Sequence, residues 1–206
     1  MTRNPARRIS LVNAAIEVLA RDGARGLTFR AVDAEAGVPT GTASNYFANR
    51  DDLLRQVGEH IHVRFTPDPA KVADTMRAPA DRGLLVTLMK DLLDRLRKDR
   101  AAYLALLELR LEATRRPELQ AALTKTISDT LEDNVRFHVD YGLPGDRTTV
   151  VSLYLAMSGL VVEHLTLPEV LPESSLEGLV EALVDRTQAS AGGAGGGTGK
   201  EVVREP

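Results

Sequence analysis

The chain has 206 residues, of which 43% are hydrophobic, with no cysteine and a formal net charge of −3. The lack of cysteine excludes a disulfide framework, a thiolate zinc site and a cysteine nucleophile. No apolar stretch has the form of a signal peptide or the length of a transmembrane helix, so we expect a cytoplasmic protein with no membrane partner.

Helical periodicity predominates along the sequence, and alternating strand patterns are nearly absent. We therefore predict an all-α fold. The first predicted helix carries an apolar stripe with spacings of three and four residues, formed by Ile9, Val12, Ile16 and Leu19. Gly23 and Gly26 are expected to end this helix.

Two short helices are predicted next, from Phe29 to Ala36 and from Pro39 to about Phe47. Thr28 can cap the first of them. Pro39 fits the first turn of the second, where its missing N–H costs nothing. Gly37 permits a sharp turn between them. This pattern predicts a helix-turn-helix, whose second helix enters the DNA major groove.

The second short helix is rich in small polar side chains that suit approach to phosphates and base edges: Thr40, Thr42, Ser44 and Asn45. We interpret Gly41 as a position where a side chain would hold the helix away from DNA. Residues 1–50 carry seven basic and four acidic side chains, so the N-terminal part of the chain (the head) is basic and the remainder (the body) is acidic. Such a charge distribution is typical of a chain that binds phosphate at one end. Arg3, Arg7 and Arg8 are either further DNA contacts or a solvated tail.

Asn49 is predicted to cap a fourth helix, from Arg50 to about Phe65, and the following Thr66-Pro67-Asp68-Pro69 is expected to separate head from body. Body helices are predicted near 70–77, 81–98, 100–115, 117–141, 146–167 and 174–188. The predicted domains are a helix-turn-helix domain (1–50), a connecting helix (51–66), a ligand-binding and dimerisation domain (67–188) and a disordered tail (189–206).

The helix predicted at 146–167 is apolar on nearly all sides, so it must be buried all round. We expect a homodimer in which this helix and the next form a four-helix bundle with their partner copies; a monomer core helix is the alternative. The predicted interface residues are Leu153, Met157, Gly159, Leu160, Leu176, Leu179, Val180 and Leu183.

Six adaptable or amphipathic side chains of the body are candidates for a small-molecule pocket, with simple core packing as the alternative: Met76, Met89, Tyr103, Leu107, Phe137 and Tyr141. His60 and His62 point to different helix faces, and we predict no metal, no cofactor and no catalytic site. Glu108 and Glu112 could form an acid pair, but the nearby Arg110, Arg115 and Arg116 indicate a solvated or salt-bridged helix face. An all-α enzyme acting on small molecules and an interaction scaffold that does not bind DNA are the alternatives to a DNA-binding regulator.

Over roughly residues 6–60 the sequence resembles the tetracycline-repressor (TetR) family of bacterial regulators. The resemblance follows the first amphipathic helix and rests on Thr28-Phe29-Arg30-Ala31-Val32, Ala36-Gly37-Val38, Gly41-Thr42, Asn45-Tyr46-Phe47 and Arg50-Asp51-Asp52-Leu53-Leu54. It implies a three-helix DNA-binding domain and a helical ligand-binding and dimerisation domain. The implied function is a repressor that binds a palindromic operator as a homodimer and is released by a small, largely apolar ligand.

The resemblance also implies roles for individual residues. Thr28, Tyr46 and Arg50 match phosphate contacts, Thr40, Gly41 and Thr42 match the start of the recognition helix, and Ser44 and Asn45 match its base-reading centre; with Arg30, these are the nine predicted DNA-binding residues. Three residues depart from the family pattern: Asp33 replaces a small residue, Pro39 a polar cap and Ser44 an aromatic. We expect Asp33 to pair with Arg30.

Overall fold

A computed structural model describes the backbone of residues 4–193 and the side chains of residues 4–188. Over this range the chain forms helices and no strand, which confirms the all-α prediction. The helices are α1 (Pro5–Gly26), α2 (Phe29–Glu35), α3 (Thr42–Tyr46), α4 (Arg50–Phe65), α5 (Pro69–Thr75), α6 (Arg82–Lys98), α7 (Arg100–Ala113), α8 (Pro117–Asp140), α9 (Arg147–Thr166) and α10 (Leu176–Gly193), with a 3-10 turn at Glu173–Ser175.

Most helix ends lie close to the predicted ones because their caps are side chains that the sequence displays. The Asn49 side chain accepts a hydrogen bond from the Asp52 N–H at 2.8 Å and begins α4. Asp146 and Thr149 form a reciprocal capping box that begins α9. The last helix continues past the predicted start of the tail at Ala189, and residues 194–206 lie outside the described part of the chain, so the tail there stays a prediction.

The described residues pack into two compact units. The first unit contains the described part of Met1–Val72 together with Leu92–Glu132. Its core is a single apolar cluster in which α1 and α4 pack against α7, with fully buried members such as Leu11, Ile16, Phe47, Leu54, Ile61 and Leu109. Ile9 lies outside this core with 49% of its surface exposed, so the buried stripe of α1 begins later than predicted.

The second unit contains Ala73–Asp91 together with the described part of Asp133–Pro206. Here α9 packs against α10, and Leu85 and Val86 of α6 cover Leu153 and Val184. Ion pairs also join α6 to α10, between Arg82 and Asp185 at 2.5 Å and between Lys90 and Glu181 at 2.7 Å. In the described part of the chain, α9 is the one helix long and apolar enough to cross a membrane by length and composition, a property that the core helix of a soluble protein shares.

Candidate DNA-binding site

The turn between α2 and α3 has the backbone that the sequence predicts. Gly37 has a φ of 63°, a left-handed conformation that glycine adopts without steric cost. Its N–H donates to the Ala34 carbonyl at 3.2 Å, and the Val38 N–H donates to the Asp33 carbonyl at 3.0 Å. These bonds satisfy carbonyl groups at the end of α2 and reverse the chain direction.

The recognition helix α3 is shorter than predicted and begins at Thr42. The placement of Pro39 in its first turn is wrong, because Pro39 belongs to the preceding turn and its carbonyl accepts the Thr42 N–H at 3.1 Å. Gly41 is the N-terminal cap, with a φ of 93°. This left-handed conformation favours glycine at position 41. It is a different reason from the close approach to DNA that the sequence analysis proposed, which stays a prediction.

Asp33 performs the capping that Gly41 has no side chain to perform. It is 1% exposed, and its two carboxylate oxygens accept the N–H groups of Gly41 and Ala43, each at 2.7 Å. The predicted pairing with Arg30 is wrong, since Arg30 is exposed and the carboxylate faces the start of α3. The sequence signal that could have found this contact is an acidic residue in place of a small one on α2, followed by a helix that has no capping side chain of its own.

The predicted base-reading side chains lie on the open face of α3. Ser44 and Asn45 are both exposed, and each donates to the Gly41 carbonyl, Ser44 Oγ at 2.8 Å and Asn45 Nδ2 at 3.0 Å. Ser44 keeps two acceptor lone pairs, and Asn45 keeps its carbonyl oxygen and one N–H. Thr40 is exposed and Tyr46 is half-buried. Hydrogen-bonding groups are therefore available at the surface of this helix.

The C-terminal end of α3 is held by an aromatic and cationic contact. The buried Phe47 ring stacks on Phe29 with centroids 6.4 Å apart. The Arg8 guanidinium lies 5.5 Å from the Phe47 ring centroid and 5.8 Å from that of Tyr46, and it donates to Gln56 Oε1 at 2.7 Å. Arg8 therefore packs against the C-terminal end of α3 and is no free tail, while its contact with DNA stays a prediction. Arg3 lies outside the described residues.

The same network continues from Gln56 to Asp52. Gln56 Nε2 donates to one Asp52 oxygen at 2.9 Å, and the Ala48 N–H donates to the other at 3.1 Å. Burial by itself would raise the pKa of the Asp52 carboxyl, but hydrogen bonds from Gln56, Ala48 and Arg55 hold that pKa below its ordinary value. The carboxylate thus stays ionised and fixes the segment that joins α3 to α4.

The other predicted phosphate contacts differ in their accessibility. Thr28 is exposed and caps α2 by accepting the Ala31 N–H at 3.1 Å. Arg50 is half-buried, and its guanidinium donates to the Ala24 carbonyl at the end of α1 while Nε has no partner. Arg50 is thus directed toward α1 in this structure, which the sequence did not indicate.

A row of charged side chains on α7 contacts the head. Glu108 accepts the Ala24 N–H at 2.9 Å. Glu112 pairs with Arg116 at 2.9 Å and Arg115 at 3.3 Å, as the predicted salt-bridged face requires. The hydrogen bond from Arg116 is the main reason that the pKa of Glu112 lies below its ordinary value. Among the described side chains, no group of three or more His, Asp or Glu could hold a metal ion.

The six candidate pocket residues are divided between the two units. Tyr103 and Leu107 belong to the first, where Tyr103 is buried with its ring centroid 6.3 Å from that of Phe65. Met76, Met89, Phe137 and Tyr141 belong to the second, where Met89 packs on the α6–α9–α10 core and the Phe137 and Tyr141 rings lie 4.7 Å apart. Their role in ligand binding stays a prediction.

The predicted dimer-interface residues differ in how far they are exposed in the single chain. Five are buried within the single chain, which places them in its own core: Leu153, Met157, Leu160, Leu176 and Val180. Leu179 and Leu183 are partly buried, and Gly159 is exposed. The exposed face of α9 instead presents Leu155, 62% exposed, beside Gly159. A helical wheel based on hydropathy alone cannot make this distinction because α9 is apolar on every face.

Two family models match this chain. Residues 11–57 match bacterial regulatory proteins of the tetR family, and residues 80–186 match the tetracyclin repressor-like C-terminal domain, which by itself takes in more than half of the chain. The chain belongs to the TetR family. It is therefore a transcriptional regulator whose N-terminal helix-turn-helix is a DNA-binding domain.

Several solved structures are similar to this protein along most of the chain. The multidrug binding protein EbrR, complexed with ethidium, is 28% identical with a TM-score of 0.65, and the match covers 90% of this chain and 99% of EbrR. A TetR-family member from Streptomyces coelicolor is 27% identical with a TM-score of 0.62, covering 87% and 98%. A regulator from Mesorhizobium loti, 17% identical with a TM-score of 0.72 over 92% and 98%, supports the fold alone. No curated protein sequence matches the chain.

Proposed function

We propose that this TetR-family protein is a cytoplasmic repressor, without enzymatic activity, that binds a palindromic operator as a homodimer and is released by a small, largely apolar ligand. The observation that carries the proposal is the exposed polar face of α3, whose N-terminus is anchored by the buried Asp33. An anchored helix with free hydrogen-bonding groups at its surface can enter the major groove without first folding.

The test is in vitro selection of the DNA that the purified protein binds, which we expect to enrich a palindrome. Ser44→Ala and Asn45→Ala should each relax base preference at the position that the side chain reads, by about 1–3 kcal/mol for a good base contact. Ser128→Ala is a matched control, since Ser128 is also exposed but lies on α8. Selection without an enriched palindrome would refute the repressor function.

Support for a homodimer comes from the faces of α9 and α10 that the chain leaves uncovered. Leu155 and Gly159 lie on α9, and Gly178 lies on α10; at both glycines an added Cβ would meet nothing within 4 Å. Exposed small residues allow helices of two subunits to approach closely, and an exposed leucine gains free energy when it is covered. We therefore propose that this face, together with Leu179 and Leu183, forms the subunit interface.

The proposed switch uses α4 as a lever between the head and α7. At its C-terminal end, Arg64 forms a two-point ion pair with Asp99, at 2.7 Å and 2.5 Å. Asp99 is also the cap of α7, where it accepts the Ala102 N–H at 3.3 Å. A displacement of α7 would reach α4 through this pair, and α4 begins directly after the recognition helix. A ligand shifts this equilibrium only as far as it binds one arrangement better than the other.

EbrR binds ethidium and proflavin, which are flat aromatic cations, and we propose the same class of ligand for this protein. A ligand at one hundred times its Kd stabilises the folded state by about 2.7 kcal/mol. In a screen of such cations without DNA, those that bind should therefore raise the melting temperature of the protein. A hit that does not intercalate should then bind more weakly when operator is present, by the factor by which it weakens operator binding. Equal affinities with and without operator would contradict the switch.

A further inference from the structure

A second basic surface lies beside the predicted DNA contacts, in a cleft formed by the ends of α1 and α7 and the starts of α2 and α4. The cleft has a volume of about 690 Å³, and we refer to it as the basic cleft. Arg25, Thr28, Arg50, Glu112, Arg115 and Arg116 line it. Four guanidinium groups and one carboxylate at its wall make it electropositive.

Two of these arginines are committed to holding the structure. Arg116 is bound to Glu112 at 2.9 Å and to Asp51 at 2.5 Å, and Arg50 donates to the Ala24 carbonyl. The other two cations are available to a ligand. The Arg115 side chain is 67% exposed and its contact with Glu112 is long, at 3.3 Å. Arg25 is exposed, and it forms no ion pair with any side chain of residues 4–188.

The position of Thr28 on the cleft wall indicates which anion would be bound. The family resemblance gives Thr28 a contact with a DNA phosphate, and a strand carries a further phosphate about every 3.4 Å along the helix axis. A strand held at Thr28 therefore brings its neighbouring phosphates past the basic cleft. Exposed guanidinium groups suit these phosphates because they can bind them through two parallel N–H bonds.

We propose that Arg25 and Arg115 bind backbone phosphates flanking the base pairs that α3 reads, so that the turn after α7 extends the DNA interface beyond the helix-turn-helix. This rests on the proposed operator binding. The two arginines carry no base information, so they add affinity equally to specific and non-specific DNA.

The test measures how the Kd for a long operator duplex depends on salt, for wild type, Arg25→Gln and Arg115→Gln. Each variant is expected to bind several-fold more weakly to operator and unrelated duplexes alike, and to lower the slope of log K against log salt by about 1 for each phosphate that is no longer bound. Arg115→Lys should restore most of the slope because the charge is kept. Lys125→Gln, which removes a 77% exposed cation from α8, should match wild type.

Duplex length separates this phosphate binding from the base reading of α3. On a duplex trimmed to the recognised base pairs, wild type and both variants should bind equally, and a difference that persists would overturn the flanking assignment. Unchanged slopes on the long duplex would overturn the basic-cleft proposal alone, whereas a wild type without duplex binding would overturn operator binding as well. Saturable binding of inorganic phosphate that is absent in both variants, with unchanged DNA slopes, would show that the cleft takes a free anion and would also overturn the proposal.

Discussion

Gly159→Glu is expected to convert the protein to monomers and to lower operator affinity by about 10²–10⁴-fold, the largest effect that we predict for one residue. The expected loss is large because a dimer holds its second recognition helix near the second half-site at a high effective concentration, whereas two monomers bind independently. Gly159 is exposed on α9, and an added Cβ there would meet nothing within 4 Å, so we expect the glutamate to clash with the partner and not with its own chain.

Light scattering at micromolar concentration and a gel-shift titration measure the two expected effects. Leu155→Arg on the same face should also give monomers with lower operator affinity. Agreement between the two variants would show that the effect does not come from a folding defect specific to Gly159→Glu. Leu111→Arg is the control, since Leu111 is similarly exposed, at 57%, but lies on α7. A monomeric wild type, or dimers in both α9 variants, would contradict the proposed interface.

Asp33→Ala should destabilise the head by roughly 2–5 kcal/mol and lower operator affinity by at least about tenfold. Its carboxylate is the acceptor for two N–H groups at the start of α3, and each buried donor without its partner costs about 1–3 kcal/mol. Without these bonds the recognition helix has no N-terminal anchor, so part of the binding free energy must be used to order it.

Urea unfolding followed by gel shift distinguishes a local effect from loss of the fold. Asp33→Asn keeps the shape and one acceptor oxygen, and it should lie between alanine and wild type. Asp129→Asn, on the exposed face of α8, should change stability by no more than about 0.5 kcal/mol. An Asp33→Ala protein as stable as wild type, with unchanged operator affinity, would show that the carboxylate is incidental to the recognition helix.

How far sequence predicts this structure depends on whether the determining contact is local. The cap at Asn49, the helix start near Asp146 and the turn at Gly37 involve neighbours within a few residues, and the prediction matches the structure at each of them. The Pro39 error arose because proline suits both a turn and a first helical turn, and the positive φ of Gly41 decides between them.

The features that could not be predicted join residues distant in sequence. Glu108 reaches Ala24 across 84 positions, and Arg8 reaches Gln56 across 48. Asp33 was noticed as a departure from the family pattern, but a nearby arginine was a more obvious partner than two backbone N–H groups. On α9, hydropathy indicates that every face is apolar, and the packing of α6 and α10 determines which face stays exposed.

The contacts that α4 and α7 make with the end of α1 have a consequence for how such regulators can be recombined. Both the N–H and the carbonyl of Ala24 are bound by side chains, from Glu108 and Arg50, and α1 packs along α7 in one continuous core. One family match ends at residue 57 and the other begins at residue 80. The first compact unit nevertheless contains residues from both sides of this gap, including α7. A chimera that exchanges heads at the boundary of the matches would leave an apolar face of α1 without its natural cover. Transplanting the specificity of this regulator therefore means replacing the surface of α3, or carrying α7 along with the head.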